Sequence, residues 1–187
     1  NQQFYSNKLI DGVSAENRSA PAGLLWPDWD NPVAFIPVDG GEVVSPDGTS
    51  RENPIEVSWV LKITEDLLDA GELTKKDIGI ITPYAGQVRA IRNSMSEELD
   101  DVEVRTVDGY QGREKEVIIF SCVRSNPEQN VGFLAEPRRL NVALTRAKRG
   151  LIVIGDPSTL RSDKNWQAWL EYIRDSKFEA WHLLGMT

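Results

Sequence analysis

The 187-residue sequence predicts an α/β domain with a mostly parallel sheet and helices on both faces. Three observations carry that expectation. The apolar runs "VAFIPV", "IGIIT", "EVIIFSCV" and "GLIVIG" have strand length and read as strands covered on both sides. Stretches with apolar residues at helical spacing alternate with them. The length suits one compact domain, and a 40% apolar and 27% charged composition is ordinary for a globular chain.

Residues 1–32 read as an irregular lead-in, turn-rich at "SAPAG" and "WPDWDNP", with Trp26 and Trp29 as packing anchors. A strand is expected over 33–38, then a long loop, "DGGEVVSPDGTSREN". Asn53 caps the next helix, Pro54 suits its first position, and Glu56 stands where a capping box needs it. Val57, Val60, Leu61, Thr64, Leu67 and Leu68 give that helix one mostly apolar face, and Ala70-Gly71 ends it. A strand over 78–82 and a helix over about 84–99 follow, the latter facing inward with Val88, Ile91, Met95 and Leu99. Strands over 102–107 and 116–123 precede a helix over 137–148 opened by Pro137. A strand over 150–155 and a closing helix over 163–175 complete the order, with Trp166, Trp169, Leu170 and Ile173 turned to the core. In such folds ligands bind beyond the carboxyl ends of the strands, so "TPYAGQ", "TVDGYQGRE" and "VRSNPEQ" are expected on a single rim.

Composition removes several chemistries. Cys122 is the one cysteine and sits in an apolar run, so neither an internal disulfide nor a zinc set is available; a buried, inert thiol is expected. His182 is the one histidine, which leaves metal, Cys–His and Ser–His catalysis without material. No run approaches a membrane span, and the start shows neither an initiator Met nor a leader, so the expectation is a piece of a longer intracellular protein, cytoplasmic or nuclear. The net charge of −8 is unevenly spread: residues 102–150 hold nine Lys/Arg against six Asp/Glu, leaving −11 elsewhere. A basic segment in an acidic body fits phosphate contact confined to one place. By charge alone a solvated face explains it as well.

Two stretches carry chemistry. "TVDGYQGREKE" turns at Gly109 and Gly112, which lets the backbone approach a ligand closely, and sets Gln111 and Glu114 beside the second glycine. A carboxylate there can accept from ribose hydroxyls, although a charged surface hairpin has the same composition. In "PRRLNVALTRAKRG", Leu140, Ala143, Leu144 and Ala147 form a helical stripe and leave Asn141, Thr145, Arg146, Lys148 and Arg149 off it. A guanidinium at that helix end can stabilise a phosphoryl group, or pair with a nearby carboxylate.

Together "TVDGYQGREKEVIIFSCVR" and "RRLNVALTRAKRGLIVIG" resemble motifs V and VI of superfamily 1 helicases, closest to the up-frameshift-like subfamily. "FYSNKL", "DGTSRENPIEV" and "IGIITPYAGQ" extend the resemblance, in order, over nearly the whole chain. The resemblance implies that residues 1–187 are the second, C-terminal RecA-like domain, a three-layer fold, of an ATP-dependent helicase acting on single-stranded RNA or DNA. By position it makes Arg146 the arginine finger at the ATP γ-phosphate and Gln111, Gly112 and Glu114 nucleotide contacts. It sets Thr82, Pro83, Tyr84, Thr106, Val107 and Arg124 along the bound strand. No G-x-x-x-x-G-K-[ST] loop and no acidic metal-holding motif occurs in these residues, so the cradle for ATP with Mg²⁺ is expected from the first RecA-like domain, outside this chain. The alternative is a non-catalytic RecA-like binding or assembly module.

Overall fold

The computed structural model describes residues 19–175; "FYSNKL" and His182 lie outside them. Five strands form one sheet: β1 (Val33–Pro37), β4 (Ile78–Thr82), β5 (Glu103–Thr106), β6 (Lys115–Ser121) and β7 (Ala147–Gly155). Their spatial order is β1-β7-β6-β4-β5, and every pairing is parallel. Each central strand is covered on both sides because its side chains alternate between two cores. Val117 and Ile119 of β6 join one cluster, with helices α1 (Pro54–Asp69) and α2 (Ala85–Ser94). Ile118 and Phe120 join the other, with α3 (Pro137–Leu144) and α5 (Lys164–Asp175); the short α4 (Pro157–Leu160) leads into α5. The result is the expected three-layer, RecA-like arrangement.

Several local expectations shift. Trp26 is buried and its indole N–H donates to the Pro21 carbonyl at 2.6 Å, but Trp29 is 55% exposed and anchors nothing. The stretch read as a long loop folds into a small hairpin, β2 (Val43–Val44) against β3 (Arg51–Glu52), with the Ser45 hydroxyl donating to Asp47 at the turn. The helix over 84–99 stops at Ser94, and a turn carries Leu99 back into the core. The largest change concerns α3. It ends at Leu144, and Ala147 starts β7 opposite Lys115 instead of finishing a helical stripe. The competing force is sheet pairing: an extended Ala147 gains a ladder partner that a helix could not reach. The side chains of Leu140 and Ala143 lie outside the description.

At the start of α1 only half of a capping box forms. The Asn53 side-chain oxygen accepts from the N–H groups of Ile55 and Glu56, at 3.1 and 3.2 Å. Glu56 does not reach back to the Asn53 N–H, and of Asn53 its Oε1 meets only the side-chain amide, at 3.5 Å. It is fully buried and takes the Val123 N–H at 2.9 Å to both carboxylate oxygens, plus the Ser121 hydroxyl at 2.6 Å. The Asn53 N–H instead donates to Gln87 Oε1 at 2.8 Å, and the Gln87 amide donates to Ser121 Oγ at 2.9 Å. Burial pushes the Glu56 carboxyl up to about 8, against the pull of the hydrogen bonds it accepts.

Glu56 therefore holds its proton more tightly folded than unfolded, where its value is 4.5. The stability this gives is complete below about pH 4.5 and is lost as pH rises through about 8. Urea titrations between pH 5 and 8 should show stability falling, by at most about 1.4 kcal/mol per pH unit from this group. Glu56→Gln should flatten that slope; a wild-type midpoint independent of pH over the same window contradicts the assignment.

Candidate functional site

The two chemistry-bearing stretches meet at the amino ends of β6 and β7. After β5 the chain makes a 3₁₀ turn, Asp108–Tyr110, which drops Tyr110 fully into the core against Gly79. Gln111 then emerges exposed, and Gly112 takes φ +75°, a left-handed conformation open to glycine at little cost. Apart from its chain neighbours, no atom of the described residues comes within 4 Å of where a Gly112 side chain would begin, so this backbone is open to a ligand. Glu114 is exposed, and the next residue, Lys115, donates its N–H to the Arg146 carbonyl at 3.1 Å. That single backbone bond sets the glycine turn beside Arg146.

Arg146 leaves α3 directly after its cap, Thr145. Its Nε donates to the Val142 carbonyl at 3.2 Å and one terminal nitrogen to Thr145 Oγ1 at 2.9 Å. Among the described residues no carboxylate pairs with it. Both of its partners are neutral oxygens, so its charge remains free to meet an anion. Neighbouring cations differ: Lys148 reaches Glu116 at 3.5 Å, and Arg149 pairs with Glu72. The residues at this end fit a nucleotide's phosphates. Among the described residues no cluster of three His, Cys, Asp or Glu side chains is arranged to hold a metal ion.

The strand-contact candidates lie at the opposite end of the sheet. Thr82 and Thr106 close β4 and β5 side by side, and the Val107 N–H donates to the Thr82 carbonyl at 3.1 Å. The expected single rim is thus two sites, separated by the length of β6. Seven residues at about 3.3 Å each make that roughly 20 Å. The reason is the crossing of residues 107–114, which returns the chain from the carboxyl edge to the amino edge because β5 and β6 run parallel.

At the carboxyl edge Thr82 and Val107 are buried, while Pro83 and Thr106 are half-buried, the latter accepting from the Gly109 N–H at 3.3 Å. Tyr84 is buried, and its hydroxyl accepts from Arg124 at 3.3 Å and from the Phe133 N–H at 3.3 Å. Arg124 is 6% exposed and pairs with Glu42 at 3.1 Å. Glu42 also takes Ser125 N–H and the Asn126 amide, each at 2.8 Å, and pairs with Arg51 at 2.7 Å. Burial works to raise the Glu42 carboxyl, but bonds from Asn126, Ser125 and Arg124 hold it below its ordinary value. Val123, just before Arg124, has φ +72°, which costs a β-branched residue on the order of 1–3 kcal/mol. The Glu56 carboxyl group that accepts from its N–H holds it there.

Sequence reasoning passed over Glu42, Phe133 and Arg139. Arg139 pairs with Asp108 at 3.0 Å and lays its guanidinium 5.2 Å from the Phe133 ring centre, so it ties the 3₁₀ turn to α3. Little local marks Glu42, since all its partners except Arg51 are more than 80 residues away. Cys122 is buried, and burial pushes its thiol well up, as expected for an inert residue.

Residues 1–158 match the family model described as an AAA domain. A regulator of nonsense transcripts 1 homolog from Drosophila melanogaster is 43% identical over 181 residues, covering 93% of this chain and 15% of that protein. The Neurospora crassa homolog is 44% identical over 182 residues, covering 93% of this chain and 17% of its own. The ATP-dependent helicase NAM7 of Saccharomyces cerevisiae is 42% identical over 180 residues, covering 92% and 18%. The chain thus spans less than a fifth of these curated relatives. No helix among the described residues is long and apolar enough to cross a membrane. With the all-parallel sheet and both motifs in place, the chain belongs to the AAA-domain family, in the up-frameshift-like branch of the superfamily 1 helicases.

Proposed function

We propose that this chain is the second RecA-like motor domain of an ATP-dependent helicase, supplying the arginine finger and part of the surface for single-stranded RNA or DNA. The observation that carries the reading is the Lys115–Arg146 backbone bond, which puts a guanidinium with no carboxylate partner among the described residues beside an open glycine turn. Relatives named as ATP-dependent helicases support it.

Bound ATP with Mg²⁺ would supply the phosphoryl group and the metal's charge neutralisation. Arg146 would stabilise negative charge growing on the transferring phosphoryl oxygens through charge-assisted hydrogen bonds. Gly112 would let the backbone come close, Gln111 would support the turn, and Glu114 would accept from ribose hydroxyls. The P-loop and the metal-holding carboxylates would come from the first RecA-like domain. At the carboxyl edge Thr106 and Pro83 present the accessible surface. Arg124 lies deeper with Tyr84, and Thr82 and Val107 form the floor beneath.

In the full-length parent, Arg146→Ala should lower the ATPase kcat by about 10³- to 10⁵-fold while single-strand Kd stays within about twofold. Near-normal turnover in that variant sinks the finger, whereas a wild-type parent with no ATPase favours the rival reading, a non-catalytic nucleic-acid-binding or assembly module. Residues 1–187 alone should show no ATPase above background at saturating ATP and single strand; robust turnover from them is the contrary result.

A further inference from the structure

We propose that the cavity between the β2–β3 hairpin and the 3₁₀ turn Gly132–Ala135 is a base-stacking subsite for single-stranded nucleic acid, with Phe133 as its platform and Arg51 as its phosphate contact. The inference rests on the strand-binding reading above and names residues that reading does not use.

The cavity measures about 620 Å³, within the ~300–1,000 Å³ typical of small-ligand clefts. Two exposed apolar side chains line it from different segments: Val44 of the hairpin, 57% exposed, and Phe133, 56% exposed. Two arginines, Arg51 and Arg124, line it as well, and among the described residues no carboxylate lines it, in a chain of net charge −8. Flat apolar surface beside two arginines that share one carboxylate, Glu42, and so keep a net positive charge suits a nucleobase joined to a phosphate, not a purely apolar partner.

The platform is rigid before any ligand arrives. The Phe133 N–H donates to the Tyr84 hydroxyl at 3.3 Å, the Tyr84 ring lies 5.5 Å away at 44°, and the Arg139 guanidinium backs the ring. Gly132 makes this possible. It sits at φ +55°, and a side chain on it would strike Arg124 and the Tyr84 hydroxyl. Arg124 is already neutralised by Glu42, so it shapes the floor. The Arg51 side chain, 43% exposed, keeps donors for a phosphate although one nitrogen pairs with Glu42. Such stacking tolerates any base, because every base offers a π-face.

The test uses the nucleotide-free full-length parent and a fluorescein-labelled 12-mer of uridylate, with a second 12-mer carrying 2-aminopurine. Phe133→Ala should weaken binding about tenfold and abolish the 2-aminopurine quench, while Phe133→Trp retains both. The salt slope should not change in Phe133→Ala, whereas Arg51→Gln should lower it by about 0.7. Unchanged affinity and quench in Phe133→Ala overturn the subsite but not the strand-binding reading. Unchanged affinity with a larger hydrodynamic radius makes Phe133 a contact between domains, which also overturns it. A wild-type protein that binds neither 12-mer defeats both readings. Should Phe133→Ala melt early, the wild-type quench still decides: its absence means that no base stacks.

Discussion

A buried carboxyl group must be met by hydrogen-bond partners, and in this chain that requirement organises the carboxyl edge of the sheet. Glu56 stands on the inward stripe of α1, one position before Val57 and four before Val60, where an apolar residue would ordinarily be. Its donors are the N–H of Val123 and the hydroxyl of Ser121, both at the end of β6. Satisfying it therefore fixes where β6 stops and how the chain leaves it. Asn53 and Gln87 complete the same network, Asn53 donating to the Gly40 and Val123 carbonyls at 3.0 and 3.1 Å. Helix, strand end and loop are held by one set of buried hydrogen bonds.

From Val123 the constraint passes outward. A left-handed β-branched residue is unfavourable alone and persists because Glu56 grips its N–H. It delivers Arg124 to Tyr84 and Glu42, and Glu42 gathers Ser125, Asn126 and Arg51 around itself. The small hairpin is thus tied to the end of β6 by charge, although its own ladder is only two residues long per strand. Ser125 continues the chain of contacts to Asp156 at 2.7 Å, at the start of α4.

The other end of the sheet works by backbone pairing. Parallel β6 and β7 start together at Lys115 and Ala147, with an irregular register before Val117. That start cuts α3 short and leaves Arg146 in the corner between helix and strand. Meanwhile α3 reaches back to the opposite edge, where Arg139 meets Asp108 and Phe133. One eight-residue helix therefore joins Arg139, in its first turn at the carboxyl edge, to Arg146, just past its far end at the amino edge.

The sequence alone determined what depends on neighbours along the chain. The strands were legible as apolar runs, α1 from Asn53 and Pro54, and α5 from its tryptophans, because periodicity and capping are local. The family was legible too, since two long motifs lie in order. The packing of Phe133 against Tyr84 and Arg139, the Glu42 cluster, the hairpin and the early start of β7 were decided only by tertiary contact. So was the separation of the two sites: parallel strands oblige residues 107–114 to cross the sheet, and no local signal records that. Glu56 shows the difference best. Its residue type and spacing said cap, whereas its partners, 65 and 67 positions away, made it a clamp on β6. Hydrogen bonding by a buried group is set by which donors the fold brings near, not by which residues adjoin it in sequence.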